Sequence, residues 1–358
     1  MTARGEVLVS IEDVRKHFPI RQGVVFKKEV ARVHAVDGVS LEIRRGETLG
    51  VVGESGCGKS TLARCVTGLQ PVTGGRIRFE GTDIATLSKA GLKSFRRDVQ
   101  MIFQDPYGAL NPRRRVGSII GDPFAIHAIA DGPERKRRVQ ELMELVGLNP
   151  EHYNRFPAEF SGGQRQRIGV ARALALKPRL IVCDEPVSAL DVSIQAQVIN
   201  LLNDLQDELG LTYVFIAHDL SVVRYVSDRV AVMYLGKIGE TAPVEDLYVL
   251  PRHPYTAALL SAASVPDPDK ADRAERIVLS GDVPSPVDPP SGCRFHPRCP
   301  KARERCVAEE PVLTVKGAGA PDHAAACHFP VEPGERLAGE HAGIEQESTE
   351  PELPEVPS

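Results

Sequence analysis

Nine residues near position 55 restrict the fold more than any other part of the chain. Gly53-Glu54-Ser55-Gly56-Cys57-Gly58-Lys59-Ser60-Thr61 fits the pattern G-x-x-x-x-G-K-[ST]. With average residue frequencies, such a match arises by accident in roughly one chain of this size per hundred. The setting lowers those odds further, because an apolar run, Thr48 to Val52, precedes the loop and a helical stretch, Thr61 to Leu69, follows it. Gly53, Gly56 and Gly58 let the backbone curl so that its N–H groups face phosphate oxygens. The following helix turns its positive end toward the same anion. Lys59 is placed to reach the β- and γ-phosphates, and Ser60 offers a hydroxyl to Mg²⁺. A glycine-rich turn beside a surface lysine is the competing reading, and it does not explain the strand-loop-helix setting. Cys57 reads as a small residue tolerated between two glycines.

The rest of the chain supplies the scaffold such a loop needs. Val99 to Phe103, Leu180 to Cys183, Tyr213 to Ala217 and Val230 to Tyr234 are short apolar runs like Thr48 to Val52. Strands buried on both faces look this way, and helical stretches lie between most of them, so the pattern predicts a largely parallel sheet covered by helices. Val7 to Val14 and Val39 to Ile43 alternate more clearly and read as half-exposed strands. Ile194, Val198, Leu201, Leu205 and Leu209 predict a helix over Ser193 to Leu209, capped by Asp191 or Ser193 and ended by Gly210. With 358 residues, 42% of them hydrophobic, the chain can bury a core of that size. No window approaches the roughly 20 apolar residues of a membrane-spanning helix. The start carries no basic segment followed by an apolar one, which argues against secretion.

A second element points to the same chemistry. The apolar strand Leu180-Ile181-Val182-Cys183 ends in Asp184 and Glu185. A buried strand holds Asp184 rigidly enough to orient Mg²⁺, directly or through water. Glu185 is then placed to polarise an attacking water as general base. Two carboxylates that merely cap the next helix would be an even alternative without the glycine-rich loop.

Phe160-Ser161-Gly162-Gly163-Gln164-Arg165-Gln166-Arg167 resembles the signature motif of ABC ATPases, with Phe where Leu is commoner. Other parts of that family follow in the expected order. Gln104, in Ile102-Phe103-Gln104-Asp105-Pro106, looks like the Q-loop glutamine. Ser188-Ala189-Leu190-Asp191 resembles the D-loop, and His218 in Ile216-Ala217-His218-Asp219 the H-loop histidine. Phe18, in Lys16-His17-Phe18-Pro19, resembles the aromatic residue that stacks on adenine, with a core role as the alternative. The resemblance covers about Val7 to Leu250. It implies a P-loop NTPase (RecA-like) α/β core with an N-terminal antiparallel β portion and a helical subdomain over about 106–172. It also implies ATP held between the P-loop of one copy and Ser161, Gly162, Gly163 and Gln164 of another, with Asp191 at the same interface. Mg²⁺ would be held by Ser60, Gln104 and Asp184. Glu185 would act on water, His218 on the γ-phosphate, and Gln104 would link the site to membrane subunits.

No fused span, one P-loop and no long insertion leave an importer ATPase that works with separate membrane proteins. Asp105-Pro106-Tyr107-Gly108-Ala109-Leu110-Asn111-Pro112-Arg113 and Asp184 to Ser193 resemble the dipeptide and oligopeptide permease ATPases, as does Arg252-His253-Pro254-Tyr255-Thr256-Ala257-Ala258-Leu259-Leu260. The match is to the "F" type, which implies a related "D" type ATPase, two permease subunits and an extracytoplasmic substrate-binding protein as partners. The implied place is the cytoplasmic face of the inner membrane. An importer motor for another solute, such as nickel or a sugar, is the first alternative, and a soluble regulatory or nucleic-acid-handling ATPase is the alternative class. It is motivated by Arg113-Arg114-Arg115 and Arg135-Lys136-Arg137-Arg138, though solvated faces explain both runs and no nucleic acid is expected.

After about Leu250 the texture changes. Pro284, Pro286, Pro289, Pro290, Pro297 and Pro300 crowd together and strand-like runs vanish, which marks a loop-rich appendage over 251–330. Cys293, Cys299, Cys306 and Cys327 fall in it. Seven cysteines in all, an odd number, and no secretion signal argue against a disulfide framework. Four thiolates suit an iron–sulfur cluster or structural zinc, and His296, His323 and His328 are candidates for a mixed zinc site. Free thiols in an apolar patch are the third reading. The resemblance to peptide-transporter ATPases implies a [4Fe–4S] cluster. Residues 331–358 hold eight Glu and one Arg, so the remainder of the chain is near +3 against a net charge of −4. That stretch reads as a disordered acidic tail.

Overall fold

The computed structural model describes residues 5–23, 28–262, 277–315, 322–335 and 337. The chain begins with a long antiparallel hairpin, β1 (Val7–Gln22) and β2 (Lys28–Arg44), followed by β3 (Thr48–Val52) and α1 (Lys59–Val66). Next come β4 (Gly74–Phe79), β5 (Thr82–Asp83), α2 (Lys89–Asp98) and β6 (Val99–Ile102). A helical stretch follows: α3 (Pro106–Ala109), α4 (Val116–Ile126), α5 (Gly132–Leu145) and α6 (Gly162–Leu174). The core closes with β7 (Leu180–Asp184), α7 (Val192–Leu209), β8 (Thr212–Ile216), α8 (Leu220–Val226), β9 (Arg229–Tyr234), β10 (Lys237–Pro243) and α9 (Val244–Val249). The C-terminal region adds α10 (Pro254–Ala262), α11 (Glu304–Ala308), β11 (Thr314–Val315) and β12 (Ala324–Ala325).

Two sheets result. One has the order β2-β1-β4-β5 and the other β11-β12-β10-β9-β3-β8-β7-β6. In the larger sheet β9, β3, β8, β7 and β6 run parallel, and β10, β12 and β11 continue it antiparallel. Every residue of β3, β7 and β8 is buried, as the uninterrupted apolar runs require. Alternate residues serve opposite faces. Leu49, Val51, Val182, Val214 and Ile216 pack with α1 and the antiparallel sheet. Val52, Ile181, Cys183 and Phe215 join the core that reaches Ile120, Met143 and Ile168 of the helical stretch. The sheet thus sits between two apolar layers, and the loops at the carboxyl ends of β3, β7 and β8 gather at one edge.

The hairpin is longer than alternation alone predicts, at 16 and 17 residues. Bulges break its register between Ile11 and Val14 and again at Lys16/His17, so inward residues stop falling on every second position. Strand structure also persists past 250: β12 pairs with β10 through Glu240↔Ala325 and Thr241↔Ala324. Two residues are too few to show a period, which is why the sequence reads there as loop. Val331 is buried and its N–H donates to the Arg252 carbonyl at 2.8 Å, so order reaches beyond residue 330. The rest of the acidic tail, 336 and 338–358, lies outside the described residues.

Three of the seven cations in the basic runs are paired within the fold among the described residues. Arg114 pairs with Asp122, Arg137 with Glu141 and Arg138 with Glu134, while Arg115 donates to Asn154 at 3.1 Å. Among the described residues, no helix is long and apolar enough to cross a membrane.

Candidate functional site

β3 is the central strand from which the glycine-rich loop springs. Gly53, Gly56 and Gly58 have φ of 150°, 78° and 111°, a region that side chains adopt rarely. Space adds a second reason at two of them. A Cβ on Gly53 would collide with the Met233 carbonyl, and one on Gly58 with the Ala35 carbonyl. The loop is therefore wedged between β9 and β2, and its end at Gly58 opens α1. Lys59 is buried and its Nζ donates to Gly53 O at 2.7 Å and Glu54 O at 3.0 Å. Cys57 is 5% exposed and burial raises its thiol pKa, so the side chain is a neutral filler inside the loop.

Ser60 and the end of β7 meet across the sheet edge: Ser60 Oγ donates to Asp184 Oδ1 at 2.8 Å. Asp184 is 3% exposed, and burial raises its pKa despite the Ser60 bond. A carboxylate and a hydroxyl side by side are hard oxygen donors, the set that Mg²⁺ takes. The residues present therefore fit the ion that an ATP site of this kind uses. Its positive charge would also hold Asp184 ionised.

One residue on, Glu185 has φ of 46°, unusual for a non-glycine residue. The loop on both sides fixes it there: Glu185 N–H donates to Ile216 O at 3.0 Å, and Ser188 Oγ donates to Glu185 O at 3.1 Å. Its carboxylate accepts from Gln104 Nε2 at 2.7 Å, and His218 Nδ1 stands 3.6 Å from the same oxygen. Three loops, after β6, β7 and β8, thus converge on one carboxylate. Lys59, Ser60 and Asp184 form the adjoining cluster, with Thr61 on the next position of α1. A backbone strained at a convergence of polar side chains is a feature of functional sites.

The signature residues stand apart. Ser161 caps α6, accepting from Gln164 N–H at 3.3 Å, while Gln164 Oε1 accepts from Ser161 N–H at 3.0 Å. This reciprocal pair leaves the first turn of a 13-residue helix pointing its remaining N–H groups outward. Gly162 and Gly163 allow the start of α7 to come close. A Cβ on Gly163 would collide with Ile194, and one on Gly162 would lie 3.1 Å from Leu190. Asp191 is the cap residue of α7 and is exposed. Among the described residues, no hydrogen bond or ion pair joins Ser161, Gly162, Gly163, Gln164 or Asp191 to Lys59, Ser60 or Asp184.

Phe18 pairs with Val33 in the hairpin and is half-buried, with Lys16 Nζ 5.0 Å from its ring centroid. Beside it lies a group with ligand spacing, His17, His34 and Asp37. His17 Nε2 is 2.8 Å from Asp37 Oδ1. Arg294 already pairs with the same carboxylate. Burial raises the Asp37 carboxyl, but the His17 hydrogen bond and the Arg294 and Lys237 charges outweigh it and bring it down to about 2. The carboxylate is therefore compensated by protein cations.

The four C-terminal cysteines line one small cavity with His296 and His328. Burial pushes Cys299 up to about 12 and Cys327 up to about 11. His323 is elsewhere, with its Nε2 2.7 Å from the buried Glu240 carboxylate, so it is not a candidate ligand. Two residues that sequence reasoning missed tie this region to the glycine-rich loop. Tyr255 OH accepts from Glu54 N–H at 2.9 Å, and Arg298 Nη1 donates to both Glu54 carboxylate oxygens at 3.1 and 2.9 Å.

Solved structures resemble this chain over about two thirds of its length. An ATP-binding cassette dimer in a post-hydrolysis state bound to ADP and Pi superposes with a TM-score of 0.58 at 28% identity, covering 66% of this chain and 98% of that one. The fold and the site it frames are those of an ABC ATPase. A sequence-family model described as ABC transporter matches residues 36–188, and one described as oligopeptide/dipeptide transporter, C-terminal region, matches 240–306. The oligopeptide transport ATP-binding protein AppF of Bacillus subtilis is 55% identical over 91% of this chain and 98% of its own length. OppF of Salmonella typhimurium is 51% identical over 90% and 96%. The chain belongs to the ABC transporter ATPase family, in the branch that carries the oligopeptide/dipeptide transporter C-terminal region.

Proposed function

We infer that this chain is the ATP-hydrolysing subunit of an importer for dipeptides or oligopeptides, driving uptake through separate membrane subunits. The single observation that carries the reading is the C-terminal region over 240–306, which joins a peptide-transporter module to an ABC ATPase core. Relatives named as oligopeptide and di/tripeptide transport ATP-binding proteins support it. In the working cycle the outward N–H groups of Gly162 and Gly163, with the Ser161 hydroxyl, meet the γ-phosphate of an ATP seated on a second ATPase subunit, a "D" type partner. Ser60, Asp184 and Gln104 would hold Mg²⁺, which would supply positive charge against the phosphates. Lys59 binds the phosphates, Glu185 accepts a proton from the attacking water, and His218 steadies the γ-phosphate. Phe18 stacks on adenine. Gln104, touching Glu185, couples nucleotide state to permease subunits docked on the helical stretch, with the ATPase held on the inner face of the membrane.

The cysteine cavity holds a [4Fe–4S] cluster in this reading. The assignment rests on the four cysteines lining one cavity and on the resemblance to peptide-transporter ATPases. The cluster's part is structural. Iron and sulfide in the purified protein, with absorbance in the visible blue, are expected, and stoichiometric zinc without iron would refute the assignment.

The transport reading is tested by reconstituting the chain with its permease and substrate-binding subunits in vesicles and assaying a peptide panel. Peptide-stimulated ATP hydrolysis with uptake of labelled peptide is the expected result. An assembled complex that hydrolyses ATP but responds to no peptide removes the peptide assignment and leaves the ATPase.

A further inference from the structure

The glycine-rich loop contains a charge that does not suit its task. Glu54 lies directly after Gly53, in a loop built to receive a polyanion, and Lys59 Nζ is 3.0 Å from the Glu54 carbonyl. A carboxylate free to turn inward would compete with phosphate for that ammonium. It would also repel the nucleotide.

Two side chains from the C-terminal region hold it away. Arg298 Nη1 donates to both oxygens of the carboxylate, at 3.1 and 2.9 Å. Its own side chain is 10% exposed and that of Glu54 is 26% exposed, so the pair is partly withdrawn from water. Tyr255, fully buried in the first turn of α10, accepts the Glu54 N–H through its hydroxyl at 2.9 Å. Neither anchor is loose. The Tyr255 ring packs on Tyr234 and Phe295 at 4.7 and 5.3 Å between centroids, and Tyr234 also contacts Arg298 electrostatically. Arg298 ends a single helical turn, His296–Arg298, closed by Cys299 N–H to His296 O at 3.2 Å.

We propose that Arg298 and Tyr255 are positioning residues of the ATP site, clamping Glu54 by carboxylate and backbone so that its charge stays off the phosphates. The C-terminal region then acts on the nucleotide site through Glu54. Two consequences distinguish this from a purely structural tie. The defect on losing Arg298 comes from the freed Glu54 charge, so removing that charge cures it. Being electrostatic, the defect also shrinks as salt rises.

The experiment measures Mg–ATP binding and the KM and kcat of hydrolysis for the full chain. Arg298→Ala is expected to weaken binding roughly tenfold, the scale of one unit charge acting over several ångströms at a half-buried site. KM should rise while kcat at saturating ATP stays close to the parent's. Arg298→Lys should recover part of the loss, and Arg298→Ala with Glu54→Gln most of it. Tyr255→Phe keeps the ring packing and removes only the acceptor. It should weaken binding several-fold, which keeps the test open if Arg298→Ala does not fold. A folded Arg298→Ala protein with unchanged ATP affinity overturns the proposal. So does a double variant as weak as Arg298→Ala alone, or a Tyr255→Phe protein that binds ATP normally.

Discussion

The ATPase core and the C-terminal region are held together by different physics. In the core, β3, β7 and β8 bury every side chain, and their parallel ladders need nothing from outside. The C-terminal region shares one apolar joint with that core, Tyr255 and Phe295 against Tyr234, and otherwise attaches through polar joints. Glu240, with no exposed surface, accepts from Arg252 N–H at 2.6 Å and His253 N–H at 2.9 Å and meets His323. Arg294 reaches Asp37, and Arg298 reaches Glu54. A region attached in this way can loosen without unfolding the core, whereas the core cannot lose a strand and keep its site. The same joints end on the hairpin and on the glycine-rich loop, so loosening is expected to be felt at the nucleotide.

The largest effect that separates the two regions is a cavity in the core. Phe215 is 2% exposed at the centre of β8, and Phe215→Ala should destabilise the whole chain by about 3–5 kcal/mol. Thermal unfolding would show both regions melting earlier together. A loss under 1 kcal/mol would mean the core is less tightly packed than its burial indicates. Next comes the buried carboxylate. Glu240→Ala leaves two backbone N–H groups and His323 unpartnered, at about 1–3 kcal/mol. Limited proteolysis should then cut after residue 250 while the core stays resistant. Simultaneous loss of both regions would break the distinction.

The smallest effect is pH-dependent and sits in the Asp37 joint. The folded pKa of about 2 lies below the ordinary value of 3.8, so the ionised carboxylate stabilises the fold above about pH 4. That contribution is lost as pH falls from about 4 through 2. With solvent screening it amounts to about 1–2 kcal/mol. Asp37→Asn should flatten the acid limb of a stability-versus-pH curve. An unchanged limb would show that the Arg294–Asp37 pair does not join the two regions energetically.

Legibility divided along the same line. Lys59, Ser60, Asp184, Glu185, Gln104 and His218 could be read because each lies at or one loop beyond the end of an apolar strand, and a strand end followed by a loop is a local pattern. The structure brings these six together. Ser161, Gly162 and Gly163 were legible as a helix start, and the contact proposed for them, with phosphate on a second subunit, has no counterpart within one chain. Arg298 and Tyr255 were not legible: their partner Glu54 lies 244 and 201 residues away, and an arginine in a proline-rich loop carries no periodic signal. The hairpin length was missed because bulges erase the two-residue period that marks a strand.

The account rests most heavily on Glu185 as the group that activates water, and one measurement tests it directly. Steady-state ATP hydrolysis by Glu185→Gln is compared with ATP binding by the same protein. The predicted result is turnover reduced by about 10²–10⁴-fold with nucleotide still bound. Near-normal hydrolysis by a protein that binds ATP stoichiometrically would contradict it.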